Sequence, residues 1–140
     1  MNREEIMHIL PHRNSMLLID EASFSEGKAH AKKKINDDEW FLDGHFPDNP
    51  VVPGVILCEI LAQSTCVALG KSIDSTKVPY FTGLKEVKFK NPVLPGDTLE
   101  TECEIVRIKE PFYFCKGKGC VNGTVCVTAE FSFAIVDKKE

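Results

Sequence analysis

Residues 53–71, PGVILCEILAQSTCVALGK, constrain this chain more than any other stretch. Proline suits the first turn of a helix and Gly70 suits a C-terminal stop, so the spacing predicts one long helix from Pro53 to about Lys71. That helix is apolar nearly all round. A helix of this kind is wrapped by other structure rather than laid on a surface. The remainder of the chain must supply the wrapping.

The second half reads as the wrapper. YFTGLKEVKFK, TLETECEIVRIK, FYFCKGKGCV and TVCVTAEFSFAIV are strand-like runs, broken at Asn91-Pro92 and Pro95-Gly96, at Glu110-Pro111 and at Asn122-Gly123. Asn-Gly is a strong two-residue hairpin signal. In the last run Val125, Val127, Ala129, Phe131, Phe133 and Ile135 face one way, and Thr128, Glu130 and Ser132 the other. Upstream, MLLIDEASFSEG and KAHAKKKI are predicted to be two strands turning at Glu26-Gly27. A short helix capped by Asn2 and Glu5 precedes them, ended by Pro11, and another helical turn is expected from Asn36 through Phe41. One antiparallel sheet around one buried helix makes an α+β domain, expected to span residues 1–140.

Composition narrows the function. The 140 residues carry a net charge of −4, which argues against wholesale nucleic-acid binding. The N-terminus lacks an apolar signal-peptide core and no run has membrane-spanning length, so a cytoplasmic protein is expected. Six cysteines without a CxxC pair are expected to act as small core hydrophobes rather than as a disulfide or metal framework.

The chemistry concentrates in GHFPDNPVVPGVILCEILAQ, residues 44–63. A carboxylate in an apolar helix is costly when ionised and tends to hold its proton, which makes Glu59 a candidate general acid. Gln63, one turn on, can hydrogen-bond it. His45 is the complementary base. Gly54 sits where the first helical turn offers unpaired N–H groups, and its lack of a side chain lets a ligand carbonyl approach. Gly54 and Glu59 are about 7.5 Å apart along a helix axis, room for a small reacting centre. Acid, base and carbonyl polariser together suit proton removal alpha to a carbonyl with loss of a beta substituent. A blander reading stays open: Glu59 could cap a neighbouring backbone group and His45 could brace a proline-shaped loop.

These residues also carry a resemblance. HFPDNPVVPGVILCEILAQ resembles the motif of the FabZ-type (3R)-hydroxyacyl-acyl-carrier-protein dehydratases. LPHR with LLID, and YFTGLKEVKFKNPVLPGDTL, look like further blocks of that family in the expected order. The resemblance implies a hotdog fold, and dehydration of (3R)-hydroxyacyl-acyl carrier protein to the trans-2-enoyl product in fatty acid biosynthesis, with no cofactor and no metal. It implies a homodimer, or a trimer of dimers, whose sites each take His45 from one copy and Glu59 from the other. His45 would remove the α-proton and Glu59 would protonate the departing β-hydroxyl. The Gly54 N–H would bind the thioester carbonyl and the Val51 carbonyl would orient His45. Gln63 would position Glu59, and Tyr80 beside Phe81 would gate an acyl tunnel. Glu59 in place of Asp separates the sequence from the sister FabA type, so dehydration without isomerisation is expected.

Asn14-Ser15, Ile60 and Val52 depart from the family pattern and are expected to alter tunnel shape rather than proton transfer. His12 and Arg13 are assigned a structural role, and His8 and His30 a place on the surface. Lys85, Lys88 and Lys90 are candidate docking residues for an acidic carrier protein. Two rival functions remain: a hotdog acyl-thioesterase using the same helix end, and a non-catalytic acyl-binding module.

Overall fold

The computed structural model describes residues 1–72 and 76–138. Six strands form one antiparallel sheet: β1 (Glu21–Ser25), β2 (Lys28–Lys34), β3 (Lys77–Phe89), β4 (Thr98–Lys109), β5 (Phe112–Val121) and β6 (Thr124–Asp137), in the spatial order β1-β2-β4-β5-β6-β3. Helix α1 (Arg3–Met7) opens the chain, and helix α2 (Gly54–Cys66) lies against the sheet. This is an α+β hotdog, with the long helix held by the curled sheet.

Local chemistry explains the elements. Asn2 accepts from the Glu5 N–H at 2.9 Å while the Glu5 carboxylate takes the Asn2 N–H at 3.1 Å, so both ends of the capping box are made. The hairpin turns fall at Glu26-Gly27 and Asn122-Gly123, with φ of 53° and 78° in one and 50° and 81° in the other. Positive φ at both central residues matches the strand twist, which is why Gly occupies the second place in each. Asn36 also receives its expected partner, its N–H donating to Glu39 at 3.1 Å, but no helix starts there. A 3-10 turn follows at Trp40–Leu42 instead. Met16–Asp20 likewise stays outside β1, because its backbone bonds go to α2 and β2 instead of to a neighbouring strand.

The central helix is shorter than the sequence suggests. Its regular part ends at Cys66, and 3-10 geometry carries the backbone through Val67–Ser72. Gly70 has φ 47° and ψ −116°, outside helical space, so it does act as the break. Leu57, Ile60, Leu61, Ala62 and Cys66 are buried against Leu99, Val127, Phe131 and Phe133 of the sheet. The late polar residues of α2 are satisfied internally: Ser64 Oγ donates to Ile60 O at 2.7 Å, Thr65 Oγ1 to Leu61 O at 2.9 Å, and Thr101 Oγ1 to Ser64 Oγ at 2.9 Å. Buried hydroxyls therefore cost little here. In β6 Val127, Ala129, Phe131, Phe133 and Ile135 are buried as the alternation requires, but Val125 is only half-buried and Cys126 and Ala134 are buried as well.

The outer sheet face carries charge of both signs. Glu102 lies between Lys28 and Lys118 at 3.7 and 3.4 Å, and Lys116 pairs Glu104 at 3.1 Å. Such exposed pairs contribute little each. Among the described residues no helix is long and apolar enough to cross a membrane.

Five of the six cysteines are buried, and Cys120 is half-exposed. Burial pushes the Cys103 and Cys115 thiols up to about 12. Since the thiolate is the nucleophile, both thiols are poorly reactive at pH 8. Iodoacetamide at pH 8 is expected to label Cys120 first and leave Cys103 and Cys115 untouched in the folded protein. Peptide mass mapping checks this; labelling of Cys103 at the rate of Cys120 would contradict the packing.

Candidate active site

A cavity of about 410 Å³ opens between α2 and β3. Glu59, Ala62, Gln63 and Cys66 form its helix side, Tyr80, Phe81 and Phe133 its sheet side, and Pro11 with His12 its end. The spacing on α2 explains the helix side, since residues 59, 62, 63 and 66 share one face. Tyr80 and Phe81 come from the start of β3, the last strand of the sheet order, and both remain exposed. Ile60 and Val52, two of the family departures, do not line this cavity; they lie in the core. A larger depression of about 510 Å³ lies on the outer sheet face, among Lys28, Glu102, Lys116, Lys118 and Glu130. It gathers mixed surface charge and none of the candidate catalytic groups.

Gln63 is fixed from three sides. Its Oε1 accepts from the Leu18 N–H at 2.9 Å, so its Nε2 is the donor, to Met16 O at 2.8 Å and to Glu59 Oε1 at 3.2 Å. The expected Gln63–Glu59 contact is therefore present, but the amide does more, tying α2 to the segment after α1. Gln63 is 1% exposed, which is tolerable only because both ends of the amide are satisfied.

Glu59 is less isolated than its apolar neighbours in sequence suggest. Its side chain is 21% exposed, and His12 Nε2 lies 3.3 Å from Oε1. His12, expected only in a structural role, thus stands beside the candidate acid. Arg13 keeps such a role: its guanidinium donates to the carbonyls of Leu10, His12 and Met7 at 2.6, 2.7 and 2.9 Å, which closes the end of α1. Sequence reasoning missed His12 because 47 positions separate it from Glu59 and no local period links them. Its place in the LPHR block was the one available signal.

His45 sits elsewhere in the chain, half-buried on the loop between the Trp40–Leu42 turn and α2. Its Nδ1 is 2.8 Å from the Val51 carbonyl, and its ring packs on Phe46 at 4.4 Å between centroids. It is not among the residues lining the Glu59 cavity. One chain therefore brings Glu59, Gln63, Tyr80 and Phe81 together but leaves His45 and Val51 apart from them.

Gly54 begins α2, capped by Pro53 without a side-chain bond. A Cβ there would stand 2.6 Å from the Phe89 ring, so any other residue would have to displace that exposed ring. Lys85, Lys88 and Lys90 are exposed; in register Lys85 faces Glu130 and Lys88 faces Thr128. Among the described residues no group of three His, Cys, Asp or Glu side chains is arranged to hold a metal ion.

Comparison with known proteins gives the family. The family model for the FabA-like domain matches residues 10–130. The chain is 44% identical to the 3-hydroxyacyl-[acyl-carrier-protein] dehydratase FabZ of Clostridium perfringens strain SM101, covering 96% of this chain and 99% of that protein. It is 41% identical to the protein of the same name from Petrotoga mobilis, over 96% and 98% of the two chains. Among solved structures, the dehydratase heterocomplex ApeI:P of Xenorhabdus doucetiae superposes with a TM-score of 0.80 at 20% identity, over 95% of this chain and 91% of that one. A thioesterase from Haemophilus influenzae gives 0.64 at 10% identity, over 87% and 80%. These structural likenesses speak for the fold. At 44% identity over nearly the whole length, the sequence match speaks for more: the chain belongs to the FabA-like family, among its FabZ-type 3-hydroxyacyl-[acyl-carrier-protein] dehydratases.

Proposed function

We propose that this protein dehydrates (3R)-hydroxyacyl-acyl carrier protein to the trans-2-enoyl thioester, with His45 as base and Glu59 as acid. One contact carries the chemical reading. With Nδ1 held 2.8 Å from the Val51 carbonyl, the neutral imidazole must donate there, which leaves a lone pair on Nε2. Nε2 takes the proton from the α-carbon. The electron pair of that C–H bond forms the new double bond, the bond from the β-carbon to oxygen breaks, and the Glu59 proton joins the departing hydroxyl as water. A thioester carbonyl at the Gly54 N–H, at the positive end of α2, gains the charge that develops as the α-proton leaves. Returning the proton from His45 to Glu59 resets the site.

A homodimer, or a trimer of dimers, completes this machinery. His45 lies outside the Glu59 cavity of its own chain, and β3 is a 13-residue strand at the end of the sheet order. Exposed apolar side chains cluster in the same segments: Phe46, Val55, Tyr80, Leu84 and Phe89. An edge strand beside apolar surface is suited to pairing with another chain. A second copy then offers its His45 to the Glu59 cavity, with Tyr80 and Phe81 at the mouth that admits the acyl chain. Glu59, rather than Asp, at the acid position goes with dehydration without isomerisation.

Replacing Glu59 by Gln or His45 by Ala is expected to lower kcat by about two orders of magnitude or more, the usual worth of one acid or base. Mixed dimers of the two variants should regain part of the activity, since one of their two sites keeps both groups. Mixed dimers with no recovery would contradict the shared site. Enoyl formation without free thiol separates this chemistry from thioester hydrolysis in a single thiol-trapping assay.

Lys85, Lys88 and Lys90 offer a positive patch to an acidic carrier. KM for the carrier-linked substrate is expected to rise with salt while KM for a short thioester stays level. Equal salt response for both substrates would remove the patch from the account.

A further inference from the structure

Both side chains that reach the Glu59 carboxyl reach the same oxygen. Gln63 Nε2 lies 3.2 Å and His12 Nε2 3.3 Å from Oε1, and no hydrogen bond meets Oε2 among the described residues. His12 is held for this contact, because Arg13 pins its carbonyl at 2.7 Å and Pro11 restricts the backbone before it. The other ring nitrogen is equally informative. His12 Nδ1 is buried and has no partner among the described residues. A proton on Nδ1 would bury an unpaired N–H, which costs more than leaving a bare nitrogen there. With its hydrogen on Nε2 the ring donates to Glu59 rather than accepting from it, and the bare Nδ1 needs no acceptor.

We propose that His12 is a positioning residue for the acid. Together with Gln63 it anchors Glu59 through Oε1, so that the proton to be delivered sits on Oε2, the oxygen left to a ligand in the cavity. The same two donors then stabilise the carboxylate that remains after proton transfer. This rests on the dehydratase reading above and adds to it a stereochemical choice between the two carboxyl oxygens.

Two substitutions at His12 test the claim. A glutamine amide nitrogen takes the place of Nε2, whereas an asparagine amide nitrogen reaches only as far as Nδ1. His12→Asn is expected to lower kcat about tenfold with KM within about twofold, the worth of one well-placed hydrogen bond, and His12→Gln to stay within about threefold of wild type. In the unsubstituted protein at pH 7, imidazole ¹⁵N shifts should report a neutral ring with hydrogen on Nε2. An Asn variant with unchanged kcat, a Gln variant that falls as far as Asn, or a charged or Nδ1–H ring would each overturn the inference. If the Asn variant fails to fold, the Gln variant and the ring measurement decide it. Wild-type turnover is measured alongside. Its absence would overturn the dehydratase reading itself, a different failure from altered ratios among active proteins.

Discussion

The buried amide of Gln63 is the interaction on which the arrangement depends. It bonds to three parts of the structure at once: the Leu18 N–H, the Met16 carbonyl and, one turn back on the same helix, the carboxyl of Glu59. An amide at 1% exposure must find partners for both ends or lose several kcal/mol, of the order known for unpaired buried polar groups. Its orientation is consequently unambiguous. The Leu18 N–H takes the oxygen, so the nitrogen is obliged to donate, and the carboxyl it meets is fixed as an acceptor on one oxygen. One side chain thus links fold and site. Apolar packing of α2 on the sheet supplies the bulk of the burial, but it sets no direction for Glu59.

The same constraint explains why the chain can carry a carboxyl in an apolar helix at all. The acid is bounded by Gln63 and His12 on one side and by an open cavity on the other. The N-terminal segment, placed over the helix by its bonds to Gln63, brings the imidazole with it. The loop bearing His45 is separately organised, by the Val51 carbonyl and by the buried Lys33–Glu39 pair at 2.8 Å, where Glu39 also holds the turn at Asn36. Two independently braced halves suit a site assembled from two chains, because each must be preorganised before it meets the other.

Much of this was legible in the sequence. The strand runs from Thr98 onward, the Asn122-Gly123 turn and the central helix follow from period and turn chemistry, which are local properties. Glu59, Gln63 and Gly54 could be related because helical spacing relates them. His45 followed from the chemistry an acid needs beside it, and the HFPDNPVVPG block added Val51 through family likeness. Three features could not be seen. The regular part of α2 ends at Cys66, and the change to 3-10 geometry over Val67–Ser72 has no mark in their helix-like composition. Met16–Asp20 looks like strand but spends its hydrogen bonds on Gln63 and β2. His12 meets Glu59 only through a tertiary contact that no spacing announces.

The account turns on a base from one chain and an acid from another standing on either side of one substrate. A crystal structure of the assembled protein with a non-reacting 3-hydroxyacyl thioester analogue tests that most directly. It should place His45 Nε2 of one copy at the α-carbon and Glu59 Oε2 of its neighbour at the β-oxygen, each at about hydrogen-bond distance. An analogue bound in the Glu59 cavity with no His45 from either copy within reach of its α-carbon would contradict the mechanism.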